Sequence, residues 1–401
     1  MSTVTAAVFT KDFTQQEPIP EEAIEKAIAV LRSGKLHRYN TAPGEEGETA
    51  LLEKEFAAYM GKRFCLACAS CGSAMYLALK SAGVKRGDTV LCNAFTLAPV
   101  PGAIENAGAK IELVDIDQDY TIDLKDLAHK AHKARFLLLS HMRGHIADMD
   151  RVVALCKSHN LLLIEDCAHT MGATWDGRKS GSFGHVACFS TQTYKHINSG
   201  EGGLLVTDDE DLISRAIIYS GSYMLYEKHV SRPHLDKFEE IRERIPNYSC
   251  RMDNLRAAIL RPQLKTLDRQ CDRWNTLYRI LEERLRRIRG IVCYQRPSKE
   301  GYVGSSIQFS LSELPEEAMR RFLARCEKRG VHIKWFGNKR PVGFTSAYYN
   351  WKYFNAIPEL NKTTAILAAM CDMRIPLTFD AADCHSIADI IEEELNDLAA
   401  D

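Results

Sequence analysis

The segment from Phe189 to Gly203 places a single lysine, Lys195, between an apolar run and a glycine-rich turn. A lysine that is partly removed from water can lose its proton near neutral pH and attack a carbonyl carbon. Most lysines lie on the solvated surface, so this residue alone is weak support for chemistry. It predicts a Schiff-base lysine only if the other parts of a site occur elsewhere in the chain.

An acidic pair, Glu165 and Asp166, follows the apolar run 161–164. Ligands of open α/β sheets bind at the carboxyl ends of the strands, where this pair would lie. An aspartate there can keep the nitrogen of a pyridine cofactor protonated, which makes the ring an electron sink. A helix cap or a solvated strand end would explain the aspartate equally well in isolation.

The sequence Ser70-Cys-Gly-Ser-Ala74 joins a predicted strand to a predicted helix. The first amides of such a helix are free to bind an anion, and a phosphate would fit there. Neither the dinucleotide fingerprint GxGxxG nor the phosphate loop GxxxxGK[ST] occurs in the chain. Their absence argues against a nicotinamide or a nucleoside triphosphate as the central ligand.

Short apolar runs that alternate with helical patterns must position these residues. The predicted strands are 64–69, 89–92, 110–115, 135–140, 161–165, 186–190 and 203–207, and the main predicted helices are 21–34, 47–61, 73–82, 99–107, 148–158 and 208–219. This rhythm predicts an α/β fold with a mainly parallel seven-stranded sheet covered by helices on both faces.

A long amphipathic pattern at 252–288 predicts a connecting helix that ends before Gly290. Beyond it we expect a smaller C-terminal α/β domain. Its predicted elements are a strand at 302–312, a helix at 315–329, a strand at 331–336, an irregular stretch and a last helix at 385–399. The sequence therefore predicts a large cofactor-binding domain at 1–251 and a connecting helix with a small domain at 252–401.

The composition of the 401 residues is that of a globular protein, with 45% hydrophobic and 26% charged residues and a net charge of -1. This charge predicts neither a nucleic-acid nor a membrane partner. We expect a cytoplasmic protein, because there is no leader-like start, no apolar run long enough to span a bilayer, and 13 scattered cysteines. The spacing of Cys65, Cys68 and Cys71 suggests iron-sulfur ligands, but a strand would turn Cys65 and Cys68 to opposite faces.

Five sequence blocks in this order resemble the DegT/DnrJ/EryC1/StrS family of sugar aminotransferases. The blocks are 70–74, 114–117, 164–173, 181–184 and 189–203. The resemblance covers nearly the whole chain. It implies the aspartate aminotransferase fold (fold type I), pyridoxal 5'-phosphate (PLP) as cofactor, and a homodimer with its cofactor sites at the subunit interface.

The resemblance also implies roles for individual residues. Lys195 would bind the cofactor covalently, Asp166 would pair with its ring nitrogen, and Ala168 would touch one ring face. The residues implied for the phosphate are Gly72, Ser73 and Ser190. Some family members carry histidine instead of the lysine and are dehydratases, so Lys195 favours amino transfer.

Three positions depart from the family pattern. Ser249 stands where an asparagine usually reaches the phosphate of the neighbouring subunit, and Arg251 follows it in that segment. His169 replaces a glutamine that hydrogen-bonds the cofactor's phenolic oxygen, which an imidazole can also do. Leu97 falls where an aromatic ring commonly stacks on the cofactor.

The resemblance implies transfer of an amino group from L-glutamate to a keto- or aldehydo-sugar. Most relatives act on nucleotide-linked keto-sugars, but the runs 165–172 and 191–196 look similar to a member that aminates C8 of an oxidised 3-deoxy-octulosonate. That reaction gives 8-amino-Kdo for lipopolysaccharide biosynthesis. Arg38 or Arg143 could bind the carboxylate of such an acceptor, although a surface ion pair is the more common role for either arginine. His196 and Arg251 are further candidate substrate contacts.

The sequence gives less support to two other classes of function. A PLP-binding regulatory protein without turnover would be supported by a DNA-binding region, and no basic patch or spare helix-turn-helix segment is visible. A metalloenzyme could use Asp166, His169, His185 and His196, but no pair has the helical spacing of a zinc site such as HExxH. We therefore predict no metal site.

Overall fold

The first part of the chain builds a seven-stranded sheet. We analysed a computed structural model that describes residues 7–342, 346–354 and 357–400. Its first nine strands are β1 Phe64–Cys68, β2 Thr89–Asn93, β3 Lys110–Val114, β4 Phe136–Ser140, β5 Leu162–Asp166, β6 Thr174–Trp175, β7 Arg178–Lys179, β8 Val186–Ser190 and β9 Gly203–Thr207. The sheet has the order β1-β9-β8-β5-β4-β2-β3, and only β9 runs against its neighbours. The predicted, mainly parallel sheet is confirmed.

The strands are apolar because both faces of the sheet are covered. Cys65 and Ala67 of β1 belong to one hydrophobic cluster, whereas Leu66 and Cys68 belong to another. This alternation confirms that Cys65 and Cys68 point to opposite faces of the sheet, which is incompatible with both binding one iron-sulfur cluster.

Helices flank this sheet close to the predicted positions. They are α1 Glu21–Ser33, α2 Glu48–Met60, α3 Cys71–Ser81, α4 Pro99–Asn106, α5 Leu124–Lys130, α6 Met149–Ser158, α7 Glu210–Tyr219 and the single turn α8 Asp236–Glu239. Helix α5 was not among the predicted helices. It begins at the cap residue Asp123, whose side chain accepts hydrogen bonds from the amides of Lys125 and Asp126.

The connecting segment is two helices rather than the one that we predicted at 252–288. Helix α9 spans Asn254–Leu264 and helix α10 spans Leu267–Leu285. The break follows Pro262, which lies inside α9 and has no amide hydrogen for the carbonyl group four residues earlier.

A second, four-stranded sheet follows. The remaining strands are β10 Val292–Cys293, β11 Glu300–Gly301, β12 Ser306–Ser310, β13 Lys334–Trp335 and β14 Met370–Arg374, and the helices are α11 Glu316–Lys328, α12 Asn361–Ala369 and α13 Ala381–Ala400. The order is β10-β12-β14-β13. Strand β14, in the stretch that we interpreted as irregular, lies between β12 and β13. Its sequence is not continuously apolar, because it carries the fully buried Asp372.

The two parts of the chain are joined by a small sheet in which β11 pairs with the β6–β7 hairpin. Among the residues that the structure describes, no helix has both the length and the apolar character needed to cross a bilayer.

Candidate active site

A cavity of about 340 Å³ lies at the carboxyl-terminal edge of the large sheet. Asp166 ends β5 and Ser190 ends β8, and both line this cavity together with the first turn of α3. Trp274 of α10 and Arg374 of β14 line it from the second part of the chain. The position is the one expected for a ligand site in an open α/β sheet.

The carboxylate of Asp166 is fixed by neighbouring donors. The hydroxyl of Ser140, at the end of β4, donates to Oδ2 at 2.7 Å, and the amide of Ala168 donates to Oδ1 at 3.1 Å. Ser140 is held in turn by the hydroxyl of Thr96 at 2.8 Å. A buried carboxylate with so defined an orientation can hold a protonated ring nitrogen in the cavity.

Glu165, the other member of the acidic pair, has a structural role. Because side chains alternate along a strand, it points away from the cavity. It accepts hydrogen bonds from the amides of Gly181, Phe183 and Gly184 at 3.1, 2.8 and 2.6 Å. These contacts hold the turn that precedes β8, so the pair combines one cavity residue with one structural residue.

Lys195 lies in the loop between β8 and β9. The amide of Thr193 donates to the carbonyl of Gly200 at 3.1 Å, which closes this loop on itself. The Nζ atom of Lys195 lies 3.1 Å from Nε2 of His169. Burial, followed by the positive charge of Arg143, lowers the pKa of Lys195 to about 8. About a tenth of the amine is therefore unprotonated at pH 7, far more than for an ordinary lysine, and this neutral form is the one that nucleophilic attack requires.

His169 accepts a hydrogen bond from this amine as a neutral ring. Burial, followed by the charge of Lys195, lowers the pKa of His169 well below its usual value. The imidazole therefore orients the lysine without adding positive charge to the cavity.

The first turn of α3 and the end of β8 form the other end of the cavity. Ser70 caps the helix by accepting a hydrogen bond from the amide of Ser73 at 3.0 Å. Gly72 and Ser190 line the cavity beside this cap. The Gly72 amide lies in the first helical turn, where no intrahelical acceptor precedes it. This end can bind an anion through backbone amides, the helix dipole and a hydroxyl.

Gly203, the first residue of β9, allows the start of α3 to lie close to this strand. It pairs with Ser190 on one side and with Cys68 on the other. A Cβ atom at Gly203 would lie 2.4 Å from the carbonyl carbon and oxygen of Ser70 and 2.5 Å from the amide nitrogen of Cys71. The last glycine of the glycine-rich turn is thus required by a backbone contact that shapes the anion-binding end.

Another part of the cavity wall carries positive charge. Arg143 is 8% exposed and lies 2.9 Å, through Nη2, from Oδ2 of Asp372. The guanidinium carbon of Arg374 lies 3.6 Å from the centre of the Tyr194 ring. Arg143, Tyr194 and Arg374 all line the cavity.

The remaining predicted site residues divide into two groups. Leu97 and Ala168 line the cavity, and His196 lies behind it, with Nε2 3.2 Å from the hydroxyl of the cavity residue Ser305. Those that do not line the chain's own cavity are Ser73, whose amide donates to Ser70, and Arg38, Ser249 and Arg251.

Arg38 is buried elsewhere, where Nη1 and Nη2 each donate to Glu53 at 2.8 Å. This buried pair is neither a substrate contact in the cavity nor a surface ion pair. Ser249 is exposed and accepts from Arg251 at 3.5 Å, while Arg251 also donates to the carbonyl of Gly221 at 2.8 Å.

The four residues considered as metal ligands in the sequence do not form a cluster. Within the described ranges, the one group of three suitable donors is His141, Glu165 and Cys167. Its carboxylate already accepts the three amide hydrogen bonds described above.

Sequence reasoning did not identify Ser140, Tyr194, Trp274 or Arg374 as site residues. The position of Tyr194 next to Lys195 was a usable signal. Arg374 gave none, because the strand that ends with it was not predicted.

The chain matches a family of aminotransferases over most of its length. Residues 18–392 match the model of the DegT/DnrJ/EryC1/StrS aminotransferase family. The chain is 34% identical over 241 residues to a pleiotropic regulatory protein of Geobacillus stearothermophilus, covering 58% of this chain and 61% of that protein. It is 34% identical over 219 residues to GDP-perosamine synthase of Caulobacter vibrioides, covering 54% and 56%. These matches therefore span about three fifths of each relative's own length.

The fold is shared with solved structures. Spr1654 of Streptococcus pneumoniae, solved in its PLP form, superimposes with a TM-score of 0.78 over 97% of this chain and 100% of that chain. The two sequences are 19% identical, so this similarity establishes the fold alone.

Proposed function

Because the chain belongs to the DegT/DnrJ/EryC1/StrS aminotransferase family, we propose that it is a PLP-dependent aminotransferase that transfers an amino group to a sugar carbonyl. One observation carries the proposal. Lys195, with its pKa lowered to about 8, shares a cavity with the fixed carboxylate of Asp166 and the anion-binding first turn of α3. These are the three parts that a pyridine aldehyde phosphate requires.

The cavity residues fit this cofactor. Gly72 and Ser190 would hold the phosphate, and the absence of a Cβ at Gly203 keeps the start of α3 close to β9. Asp166 would hold the proton on the ring nitrogen, and Ala168 and Leu97 would contact the ring. Leu97 offers dispersion contact but no aromatic stacking.

Bound PLP supplies an electron sink for the carbon that carries the amino group. Lys195 would remove the proton from Cα of the amino donor and deliver it to the cofactor's C4' atom. A pKa near the working pH suits both steps. Asp166 keeps positive charge close to where electrons accumulate, and neutral His169 keeps the amine directed into the cavity.

We propose L-glutamate as the amino donor. For the acceptor we propose the C8 aldehyde of 8-oxo-3,8-dideoxy-octulosonate, which would give 8-amino-Kdo for lipopolysaccharide biosynthesis. The buried, cavity-lining Arg143 supports an acidic acceptor. A nucleotide-linked keto-sugar is the alternative, and the similarity to a GDP-perosamine synthase favours testing it.

We also propose a homodimer with a shared cofactor site. Ser249 and Arg251 lie outside this chain's own cavity, as expected if they serve the neighbouring subunit. Large apolar side chains are exposed on helix α1, after helix α7 and next to Ser249. They are Ile24, Ile28, Leu31, Tyr223, Met224 and Tyr248. A second copy of the chain could bury them.

We propose a cytoplasmic setting for the protein. The 13 cysteines are unpaired and buried, which supports a reducing environment.

The decisive experiment combines a donor reaction with a panel of acceptors. The purified protein should absorb visible light when PLP is bound, and L-glutamate should bleach that band. The aminated protein is then offered the eight-carbon aldehyde acid and a set of nucleotide-linked keto-sugars. Bound PLP without bleaching by any donor would instead support the regulatory alternative, a role suggested by the name of the Geobacillus relative.

A further inference from the structure

The loop that carries Lys195 is held from outside at Asn198, three residues after the lysine. The loop closes on itself in part through the amide of Ser199, which donates to the carbonyl of Thr191 at 3.0 Å. The backbone amide and carbonyl of Asn198 take no part in such bonds. Within the described part of the chain, their one hydrogen-bond partner is the side chain of Gln263 in helix α9.

Gln263 binds both backbone groups of Asn198 with one side-chain amide. Its Oε1 atom accepts from the amide of Asn198 at 3.0 Å, and its Nε2 atom donates to the carbonyl at 2.8 Å. Nε2 also donates to the carbonyl of Ile259, one turn earlier in α9, at 2.8 Å. A glutamine amide has two donor hydrogens, so both are used and the orientation of the amide is fixed.

Helix α9 holds Gln263 in a defined place. Leu260 and Leu264, on either side of it in the helix, belong to the main hydrophobic cluster, and α9 packs against α1 and α2. The preceding residue, Pro262, restricts the backbone through its ring. A side chain that is fixed both at its base and at its amide can define the position of a loop.

A second contact holds the same loop at His196, the residue after Lys195. The His196 ring packs edge-on against Trp274 of α10, with 5.2 Å between the ring centres, and its Nε2 atom lies 3.2 Å from the hydroxyl of Ser305. The loop backbone is therefore fixed by the second part of the chain, whereas the amine of Lys195 is directed by His169 from the first part.

A small cavity of about 60 Å³ lies beside the contact between Gln263 and Asn198. Lys195, Asn198 and Gln263 line it together with Thr266 and Gln270. This space is large enough for water, so close packing does not lock the loop on this side. The hydrogen bonds of Gln263 are what hold Asn198 next to it.

We propose that Gln263 is a positioning residue that keeps Lys195 within reach of both carbon atoms between which it moves a proton. The proposal rests on the proposed amino transfer and deepens it by assigning a role to helix α9. The amine must reach Cα of the donor and then C4' of the cofactor. Displacement of a reacting group by about 1 Å can lower a rate about 10²-fold.

Rapid kinetics of the PLP-loaded protein tests this role. Gln263→Met keeps the length of the side chain and removes its three hydrogen bonds. The control is Gln270→Met, because Gln270 lines the same small cavity but contacts Arg273 at 2.7 Å instead of the loop. Stopped-flow bleaching at increasing L-glutamate concentrations gives the limiting rate and the half-saturating concentration. Glutamate deuterated at Cα gives the isotope effect on proton transfer.

Gln263→Met should lower the limiting rate about tenfold and leave the half-saturating concentration unchanged, because only the proton transfer is impaired. Its isotope effect should be at least as large as that of the unaltered protein. The control should behave as the unaltered protein does. An unchanged limiting rate in Gln263→Met, even with reduced stability in urea, would overturn the proposal. An equal fall in the control, or a loss confined to glutamate affinity, would also overturn it.

Gln263→Asn keeps an amide that is one methylene shorter, so it should slow the reaction in the same direction and replaces Gln263→Met if that variant does not fold. If L-glutamate bleaches no form of the protein, the proposed reaction fails. The positioning role is then measured as the rate at which the cofactor-free protein attaches PLP to Lys195, which needs no donor. That rate should fall about tenfold in the Gln263 variants and not in the control. Equal rates would overturn the positioning role alone.

Discussion

The amine of Lys195 and the imidazole of His169 lie 3.1 Å apart, between Nζ and Nε2. Burial, followed by the charge of Lys195, lowers the pKa of His169 well below its usual value, so the ring is neutral and accepts the hydrogen bond. The contact spans 26 residues of sequence and joins the loops that follow β5 and β8. It directs the lysine toward the cavity that also contains Asp166.

Replacing the lysine tests this geometry most directly. Lys195→Ala should bind PLP without a covalent link, because no other lysine lines the cavity among the described residues. Reduction with borohydride followed by mass spectrometry should find the cofactor attached at Lys195 in the unaltered protein and no attachment in the variant. Lys339→Ala, at an exposed lysine, is the control. Normal turnover in Lys195→Ala would remove that residue from its proposed role.

The rate at which the cofactor-free protein takes up PLP should depend on pH. The pKa of Lys195 is lowered to about 8, so its reactive neutral form falls about tenfold for each pH unit below that value. The rate, followed by visible absorbance, should rise up to about pH 8 and then level off. Arg143→Met removes a charge that opposes protonation, so it should move the midpoint to higher pH. A midpoint that stays in place would contradict this.

Asp166→Asn should slow the donor half-reaction without preventing covalent attachment of the cofactor. The amide cannot hold a proton on the ring nitrogen as the carboxylate does, and loss of such an interaction reduces rates by about 10²- to 10³-fold. Stopped-flow bleaching by L-glutamate measures the effect. Ser140→Ala keeps the carboxylate but removes the 2.7 Å hydrogen bond to Oδ2, together with the acceptor of the Thr96 hydroxyl, and should have a smaller effect in the same direction.

The site residues that could be predicted from the sequence are those that follow from local sequence patterns. Asp166 follows an apolar strand, and Ser70 caps a helix at the point where the pattern changes from strand to helix. These positions depend on contacts within a few residues, which a single sequence can indicate.

The positively charged part of the cavity wall, formed by Arg143 and Arg374, could not be predicted in the same way. Arg143 and Arg374 are 231 residues apart in the chain and line one cavity only in the folded structure, where β14 lies between β12 and β13. Arg38 shows the opposite case: it was a candidate for the substrate, but its partner Glu53 on α2 holds it in the core. Partners of buried charges are set by tertiary packing, which leaves no trace in local periodicity.

Gly203→Ala should weaken PLP binding and destabilise the protein. The added Cβ would lie 2.4 Å from the carbonyl group of Ser70, so α3 or β9 must move. Overpacking of this kind costs about 1–3 kcal/mol. Urea unfolding and PLP titration measure the two effects. Gly102→Ala, in α4 with no atom near the added carbon, should leave both nearly unchanged or slightly stabilise the helix. Equal behaviour of the two variants would contradict the proposed close contact.

Glu53→Gln should lower the free energy of unfolding and leave the donor half-reaction intact. Arg38 donates two hydrogen bonds of 2.8 Å to Glu53, and both side chains are almost fully buried. Removing one charge leaves the other buried and unpaired, which costs about 3–5 kcal/mol. Glu283→Gln, in the exposed pair with Arg287, should change stability by less than about 1 kcal/mol.

The stabilisation that Glu53 contributes depends on pH in a defined direction. Burial opposes ionisation of Glu53, but Arg38 and His229 together outweigh it through their charges and hydrogen bonds, and they lower the pKa of Glu53 from 4.5 to about 2. A carboxyl group with a lowered pKa in the folded state stabilises the protein above its unfolded-state pKa, and this stabilisation is lost as pH falls toward the folded value. The stability gap between the unaltered protein and Glu53→Gln, measured by urea unfolding, should therefore be largest above about pH 5 and shrink toward pH 3.

Arg38→Met should reduce stability and leave the KM for the acceptor unchanged, because the guanidinium lies outside the cavity. If Arg38 instead bound substrate, this substitution would raise the KM for the acceptor.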